Sequence, residues 1–263
     1  MAIILKSPAE IAQMREAGRI VAETYNVLAP HLHAGITTGE LDQIAEQYIR
    51  QRGATPKYPG YGAETDRFGR ITRPPFPATI CVALNEIVCH GIPSRKQRLR
   101  DGDILGIDIG LVYHGWVGDA CRTFAVGTID TESRRLLQTA QHCLELGIAQ
   151  AYPGNRLGDI GAAIQTYAEA QGYSTVRELC GHGVGHELWE EPKNVLHYGR
   201  AGTGMKIVPG MVFTIEPMIN AGAPDIVLLP DQWTIRTADG SRSAQFEHTL
   251  AITEDGPELL TVL

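Results

Sequence analysis

The sequence predicts an α/β protein of the α+β type, built from helices and antiparallel strands and laid out twice along the chain. Three observations point there. Residues 106–124 alternate apolar and small side chains about a turn, two capping boxes open amphipathic helices, and a pattern of glycines and a tyrosine returns 119 residues later.

In chain order, Ser7-Pro8-Ala9-Glu10 is a capping box with proline at the first helical position. Ile11, Met14, Gly18, Val21, Tyr25 and Leu28 then mark one face, so a first helix is expected to about Leu28. Thr37 with Glu40 opens a second, whose apolar side carries Leu41, Ile44, Ala45, Tyr48 and Ile49 and which stops at Gly53. Pro56 to Pro77 is rich in Pro, Gly, Tyr and Arg and reads as a long surface loop. Gly106 to Phe124 reads as a β-hairpin turning at His114-Gly115. A helical segment is expected next, from about Thr131 to Ala151. Gly35, Gly39, Tyr48 and Gly53 then recur without gaps as Gly154, Gly158, Tyr167 and Gly172, while Leu41 and Ala45 become Ile160 and Ile164. Halves of roughly residues 1–125 and 126–263, each too small to close its own core, are expected to form one domain with a pseudo-two-fold. Met211 to Glu216 and Arg242 to Ile252 read as strands, the first with Val212, Thr214 and Glu216 on one face, the second with Gln245, Glu247 and Thr249.

With 263 residues and 43% hydrophobic content the chain can bury a sizeable core. The formal charge of −7 comes in good part from the four carboxylates Asp108, Asp119, Glu216 and Glu247, and nothing in the rest suggests binding to nucleic acid. Met1 to Leu5 is too short an apolar run for a signal peptide, and no run approaches the roughly 20 apolar residues of a membrane span. Cys81, Cys89, Cys121, Cys143 and Cys180 are odd in number and scattered, which suits a reducing cytoplasm and argues against a thiolate zinc site.

The hairpin supplies the first chemical signal. A turn at His114-Gly115 pairs Tyr113 with Trp116, sets Gly110 opposite Asp119 and Asp108 opposite Cys121, and makes Asp108 the diagonal neighbour of Asp119 on one face, about 7 to 8 Å away. Two anions on a half-buried face need a cation, a proton or an arginine between them, and a metal is the simplest of these. A solvated face, or pairing of Asp119 with Arg122, would also satisfy the pattern. Further along, Cys180 to Pro192 reads C-G-H-G-V-G-H-E-L-W-E-E-P, in which glycines flanking His182 would let a metal or substrate approach its imidazole. Taken singly, His182 also fits a core or loop histidine, and Glu216 and Glu247 fit surface charges.

Taken in order, Asp108, Asp119, His182, Glu216 and Glu247 resemble the five-ligand dinuclear site of the methionine aminopeptidases, which are pita-bread metallopeptidases. The motifs that carry the resemblance are I-D-I and V-G-D-A around the aspartates, G-H-G-V-G at His182, F-T-I-E-P-M at Glu216 and S-A-Q-F-E-H-T at Glu247. N-E-I-V-C-H-G-I-P from Asn85 to Pro93 and the opening K-S-P-A-E-I-A-Q-M-R-E-A-G extend it over nearly the whole chain. The resemblance implies a curved antiparallel sheet with flanking helices and an internal duplication, in the short bacterial type I form. It implies two divalent ions, Mn, Fe, Co or Zn, held by the five side chains, with Glu216 also the general base. It makes His90 a catalytic substrate contact near the scissile bond, and sets Cys81, Phe76 and Trp233 in an apolar methionine pocket. Four carboxylates balance two divalent ions, and oxygens with one imidazole suit these metals.

The resemblance further implies a cytoplasmic enzyme that removes the initiator methionine from nascent chains with a small second residue. N-terminal peptides are its expected partners, the ribosome a candidate partner, and a monomer the expected state. A binding module without catalysis, or a prolidase- or aminopeptidase P-like peptidase, are the alternatives; the first generally lacks metal ligands and the second usually carries extra domains. Two departures lie on the substrate side. Trp189 stands where the family has a second histidine that contacts the substrate carbonyl, and the Pro56 to Pro77 loop is longer than in typical short members. His186 could turn inward to substitute, whereas His31, His33, His114, His142, His197 and His248 are expected to be structural or superficial.

Overall fold

Each long helix starts where a side chain satisfies its first backbone N–H groups. In the computed structural model, which describes residues 3–263, the Ser7 hydroxyl accepts from the Glu10 N–H and the Glu10 carboxylate accepts from the Ser7 N–H at 2.7 Å, opening α1, Pro8–Leu28. Thr37 and Glu40 repeat the arrangement for α2, Thr38–Gln51. Asp130 caps α3, Thr131–Ile148, and Asp159 accepts from the Arg156 N–H at the start of α4, Leu157–Ala170. α3 ends three residues before Ala151. Its last turn tightens as the Gln150 N–H bonds back to Gly147, and Tyr152, which precedes Pro153, is disfavoured from helix.

The hairpin forms with the expected register: Ile104–Tyr113 pairs with Trp116–Ala125, placing Gly110 opposite Asp119 and Asp108 opposite Cys121. Helices α1 and α2 cover its outer face through Ile20, Val21, Leu28, Leu41, Ile49 and the strand residues Leu105, Ile107 and Ile109. Contact is close enough to demand glycine. A Cβ on Gly118 would fall 2.7 Å from the Ala17 carbonyl, so α1 lies directly on strand backbone. In the second half α3 and α4 pack through Leu136, Cys143, Ile160 and Ile164 onto Phe213, Ile215, Ile219 and Leu250.

The offset of 119 residues has a geometric counterpart. Gly35 and Gly154 have φ of 100° and 98°, and Gly53 and Gly172 have 74° and 82°, values open chiefly to glycine. Thr37 bridges Arg98 as Arg156 bridges Lys206.

One expected strand is broken. Arg242 to Ile252 divides into Ser243–Gln245 and His248–Thr253, which belong to different sheets, and its partner divides into Val212–Ile215 and Met218–Asn220. Pro217 has no N–H to give a ladder, which accounts for the gap on one side. The register is the same on both sides of the gap, since Ile215 faces His248 and Met218 faces Gln245, so Glu216 stands opposite Glu247. The gap is sealed by the hairpin edge: the Glu247 N–H donates to the Cys121 carbonyl at 2.8 Å, and the Thr249 hydroxyl to that of Asp119 at 2.6 Å.

A methyl at Gly118 must push α1 off the hairpin. Gly118→Ala is expected to cost about 1 to 3 kcal/mol of folding stability, read as a lower urea midpoint at unchanged slope. An unshifted midpoint would show that α1 does not bear on this strand as described.

Candidate metal centre

The hairpin, the glutamate gap and a short strand, Gly181–Gly183, converge on one cavity. Oxygens of half-buried Asp108 and of buried Asp119 and Glu247 come within 4.8 Å of one another. The His182 Nε2 lies 3.8 Å from an Asp119 oxygen and 3.7 Å from a Glu216 oxygen. Its Nδ1 lies 3.1 Å from the Gly183 carbonyl, which leaves Nε2 facing the carboxylates. Glu216 is held at both oxygens: the Thr214 hydroxyl donates to one at 2.8 Å and the Gln245 amide to the other at 3.2 Å. Oxygens with a single imidazole are the donor set that divalent Mn, Fe, Co or Zn accept, so these residues fit such ions.

Electrostatics make the same point. Burial pushes Asp108 well above the usual carboxylate range and the facing Asp119 adds to it. Burial raises Asp119 to about 7, and raises Glu216 and Glu247 well above the ordinary value with help from the aspartates. Burial also holds His182 down at about 4, so its imidazole is neutral at pH 7 and able to ligate. Without cations the cavity keeps protons, and cations must displace them.

The glycines beside His182 serve a different purpose from the one the sequence suggests. A Cβ on Gly181 would meet the Thr214 carbonyl at 2.5 Å, and one on Gly183 the Glu191 carbonyl at 2.3 Å. They let three strands pack together rather than open a path to the imidazole. Sequence reasoning also missed Tyr58. Its hydroxyl lies 2.5 Å from Asp108 and 3.0 Å from Asp119, and its ring occupies the space that a Cβ on Gly110 would need, 2.6 Å away. The one trace of it in the sequence is that absent side chain at the position opposite Asp119.

Pro56 to Pro77 is therefore more than a surface loop. Its ends carry buried Tyr58 and Phe76 into the cavity, and only its middle, with the short strands Glu64–Thr65 and Ile71–Arg73, is exposed. Phe76 meets Trp233 edge to face at 5.2 Å, and Trp233 meets His90 at 6.5 Å. His90 has a φ of 55° and is held to about 4 by burial, then by Arg73 and His182. Cys81, opposite Asp108 in the neighbouring strand, lines the same cavity. Trp189 is half exposed, with its ring 5.2 Å from that of His182 and one face on the cavity. His186 turns away, stacking on Trp116 at 3.8 Å and bonding to the Gly115 carbonyl. His197 is a buried structural residue bonded to Val176.

The model of metallopeptidase family M24 matches residues 12–254. The chain belongs to metallopeptidase family M24. This M24 chain is 47% identical over 260 residues to methionine aminopeptidase A of Synechocystis, covering 99% of the chain and 98% of that protein. It is 47% identical to methionine aminopeptidase 1 of Bacillus subtilis over 98% of the chain and 99% of that protein. The solved methionine aminopeptidase of Rickettsia prowazekii superposes with a TM-score of 0.93 at 40% identity, covering 99% of this chain and all (100%) of that one. The expected pita-bread fold is thus observed. Prolidase from Pyrococcus furiosus shares the fold alone, at 21% identity and a TM-score of 0.76, and this chain covers 66% of it.

The raised carboxylates fix a sign for pH dependence. The folded value of Asp119 exceeds its unfolded one, so the stability it contributes is full below about pH 4 and is lost as pH rises through about 7, and Asp108, Glu216 and Glu247, raised as well, act with the same sign. Metal-free protein should melt at progressively lower temperature across that window, apart from the global acid transition, and a divalent ion should restore the loss at pH 7. A metal-free melting temperature that climbs from pH 5 to 7 would contradict the assignment.

Proposed function

We propose that this chain is a methionine aminopeptidase, removing the N-terminal methionine from nascent proteins and peptides whose second residue is small. The observation that carries this is the convergence of Asp108, Asp119, His182, Glu216 and Glu247 on one cavity walled by Cys81, Phe76 and Trp233, in a chain of family M24. The five would hold two divalent ions, which when bound supply a water of lowered pKa and polarise a carbonyl. Glu216, fixed by Thr214 and Gln245, takes the proton of the attacking water and returns it to the leaving amine. His90, neutral at pH 7, donates a hydrogen bond to the substrate beside the scissile bond. Phe76, Trp233 and Cys81 receive the methionine side chain, whose sulfur packs well at ring edges.

At Trp189 the indole can donate one hydrogen bond but cannot accept one, so it replaces only part of what a histidine offers. The two halves are read as a duplication within one domain. The cytoplasm, the N-termini of nascent chains, proximity to the ribosome and a monomeric state complete the proposal. Among the described residues no helix is long and apolar enough to cross a membrane. A complete ligand set speaks against a non-catalytic binding module, and likeness to prolidases stops at the fold.

Metal content after gentle purification, paired with cleavage of Met-Ala-Ser against Ala-Pro-Ser, tests this reading; metal-loaded protein inactive on the first peptide would defeat it. Asp108→Asn should lose metal and activity together. Glu216→Gln should lose activity by orders of magnitude, while His90→Ala keeps its metal and loses about 10² to 10⁴ in kcat. Equal metal loss in the last two would show His90 to be misassigned.

Trp189→His is expected to raise kcat/KM on Met-Ala-Ser, because it restores a group able to carry a proton beside His182. A variant no faster than the parent would assign Trp189 to packing alone.

A further inference from the structure

The Pro56 to Pro77 loop brings a cation, Arg73, to a cavity lined by acids, imidazoles and neutral groups. Arg73 is the last residue of the strand Ile71–Arg73, and its guanidinium lies 3.7 Å above the Trp233 ring. Trp233 is clamped to the same loop, since its indole N–H donates to the Pro74 carbonyl at 2.8 Å and its ring lies 2.5 Å from where a Cβ on Gly62 would stand. The arginine is thus held by stacking on a ring that is itself fixed.

The Arg73 side chain has no hydrogen-bond partner among the described residues. Among the described residues its only ion-pair contact is Glu64 at 3.9 Å, beyond hydrogen-bond distance, and its Nε is buried with no partner at all. The side chain as a whole is 33% exposed, whereas Phe76 and Trp233 are 2% and 5% exposed, so Arg73 stands at the mouth of the cavity and the rings inside it. Two divalent ions would balance the four carboxylates that face them, and Glu178, the fifth carboxylate of the lining, makes no ion pair with Arg73 among the described residues. A planar fork with unpaired donors suits a carboxylate, which it can bind with two parallel hydrogen bonds.

We propose that Arg73 is a specificity residue that binds a carboxylate of the substrate beyond the scissile bond, an inference that rests on the methionine aminopeptidase reading. That carboxylate is either an acidic third residue or the terminal carboxylate of a short peptide, because only the part of the peptide leaving the cavity reaches its mouth.

The test uses the full metal-loaded chain and four peptides: Met-Ala-Asp-amide, Met-Ala-Asn-amide, Met-Ala-Ser and Met-Ala-Ser-amide. The parent should favour the anionic member of at least one pair by about tenfold in kcat/KM, chiefly through KM. Preference in the Asp/Asn pair identifies the side chain, and preference in the acid/amide pair the terminus. Arg73→Gln should collapse that ratio towards one, and Arg73→Glu should invert it, with metal content and melting temperature holding both variants comparable to the parent. Equal cleavage within both pairs by the parent would overturn the assignment while leaving the function intact. A Gln variant that slows all four alike, or loses metal, would overturn it in favour of charge balance. If the parent cleaves none of the four, the functional reading fails and this assignment falls with it.

Discussion

Four carboxylates enclosed in one cavity are the constraint on which the rest of this molecule depends. Like charges at these distances cannot all ionise in a dry site, so the chain must either leave protons on them or bring cations between them. The fold accepts that cost at a seam between its halves. The Glu247 N–H and the Thr249 hydroxyl bond to carbonyls of the hairpin edge, so the pair of aspartates and the pair of glutamates cannot drift apart to relieve repulsion. Tyr58, Thr214 and Gln245 add donors directed at the carboxylates themselves. Each such bond stabilises one orientation of a side chain that would otherwise turn away from its neighbours.

Elements whose rule is local were legible in the sequence. The register of the hairpin follows from a two-residue turn and the period of two, and both capping boxes follow from the need to satisfy the first N–H groups of a helix. The gap at Glu216 and Glu247 was not legible in the second strand, because a break there depends on which sheet each half of Arg242 to Ile252 joins. Alternation along that stretch is unbroken, and period alone cannot report a change of partner. Proline after Glu216 was the sole local sign, and it lies on the other strand.

The candidate site divides in the same way. Five acidic and imidazole side chains in a family-like order could be read, and the structure brings all five to one cavity. Tyr58 could not, because its place depends on the empty space above Gly110, and a glycine in a strand has several explanations. The glycines beside His182 illustrate the converse error. Their small size does signal close approach, but the approaching atoms are the Thr214 and Glu191 carbonyls of neighbouring strands.

Different elements carry the clustered carboxylates and the groups at the cavity mouth, and the two kinds of element tolerate change differently. The carboxylates and His182 project from paired strands or from the gap between them, where a shift of one residue would turn a carboxylate to the opposite face and break up the set. Groups at the mouth, Arg73 and Trp189 among them, come from the end of a short exposed hairpin and from the segment that leads into Glu190–Val195. Loops tolerate changes of length and residue because their backbone is satisfied locally or by water. The Pro56 to Pro77 loop and the indole beside His182 can therefore vary without moving a single carboxylate. Change at the mouth is tolerated because that side alone is free of the repulsion that fixes the other.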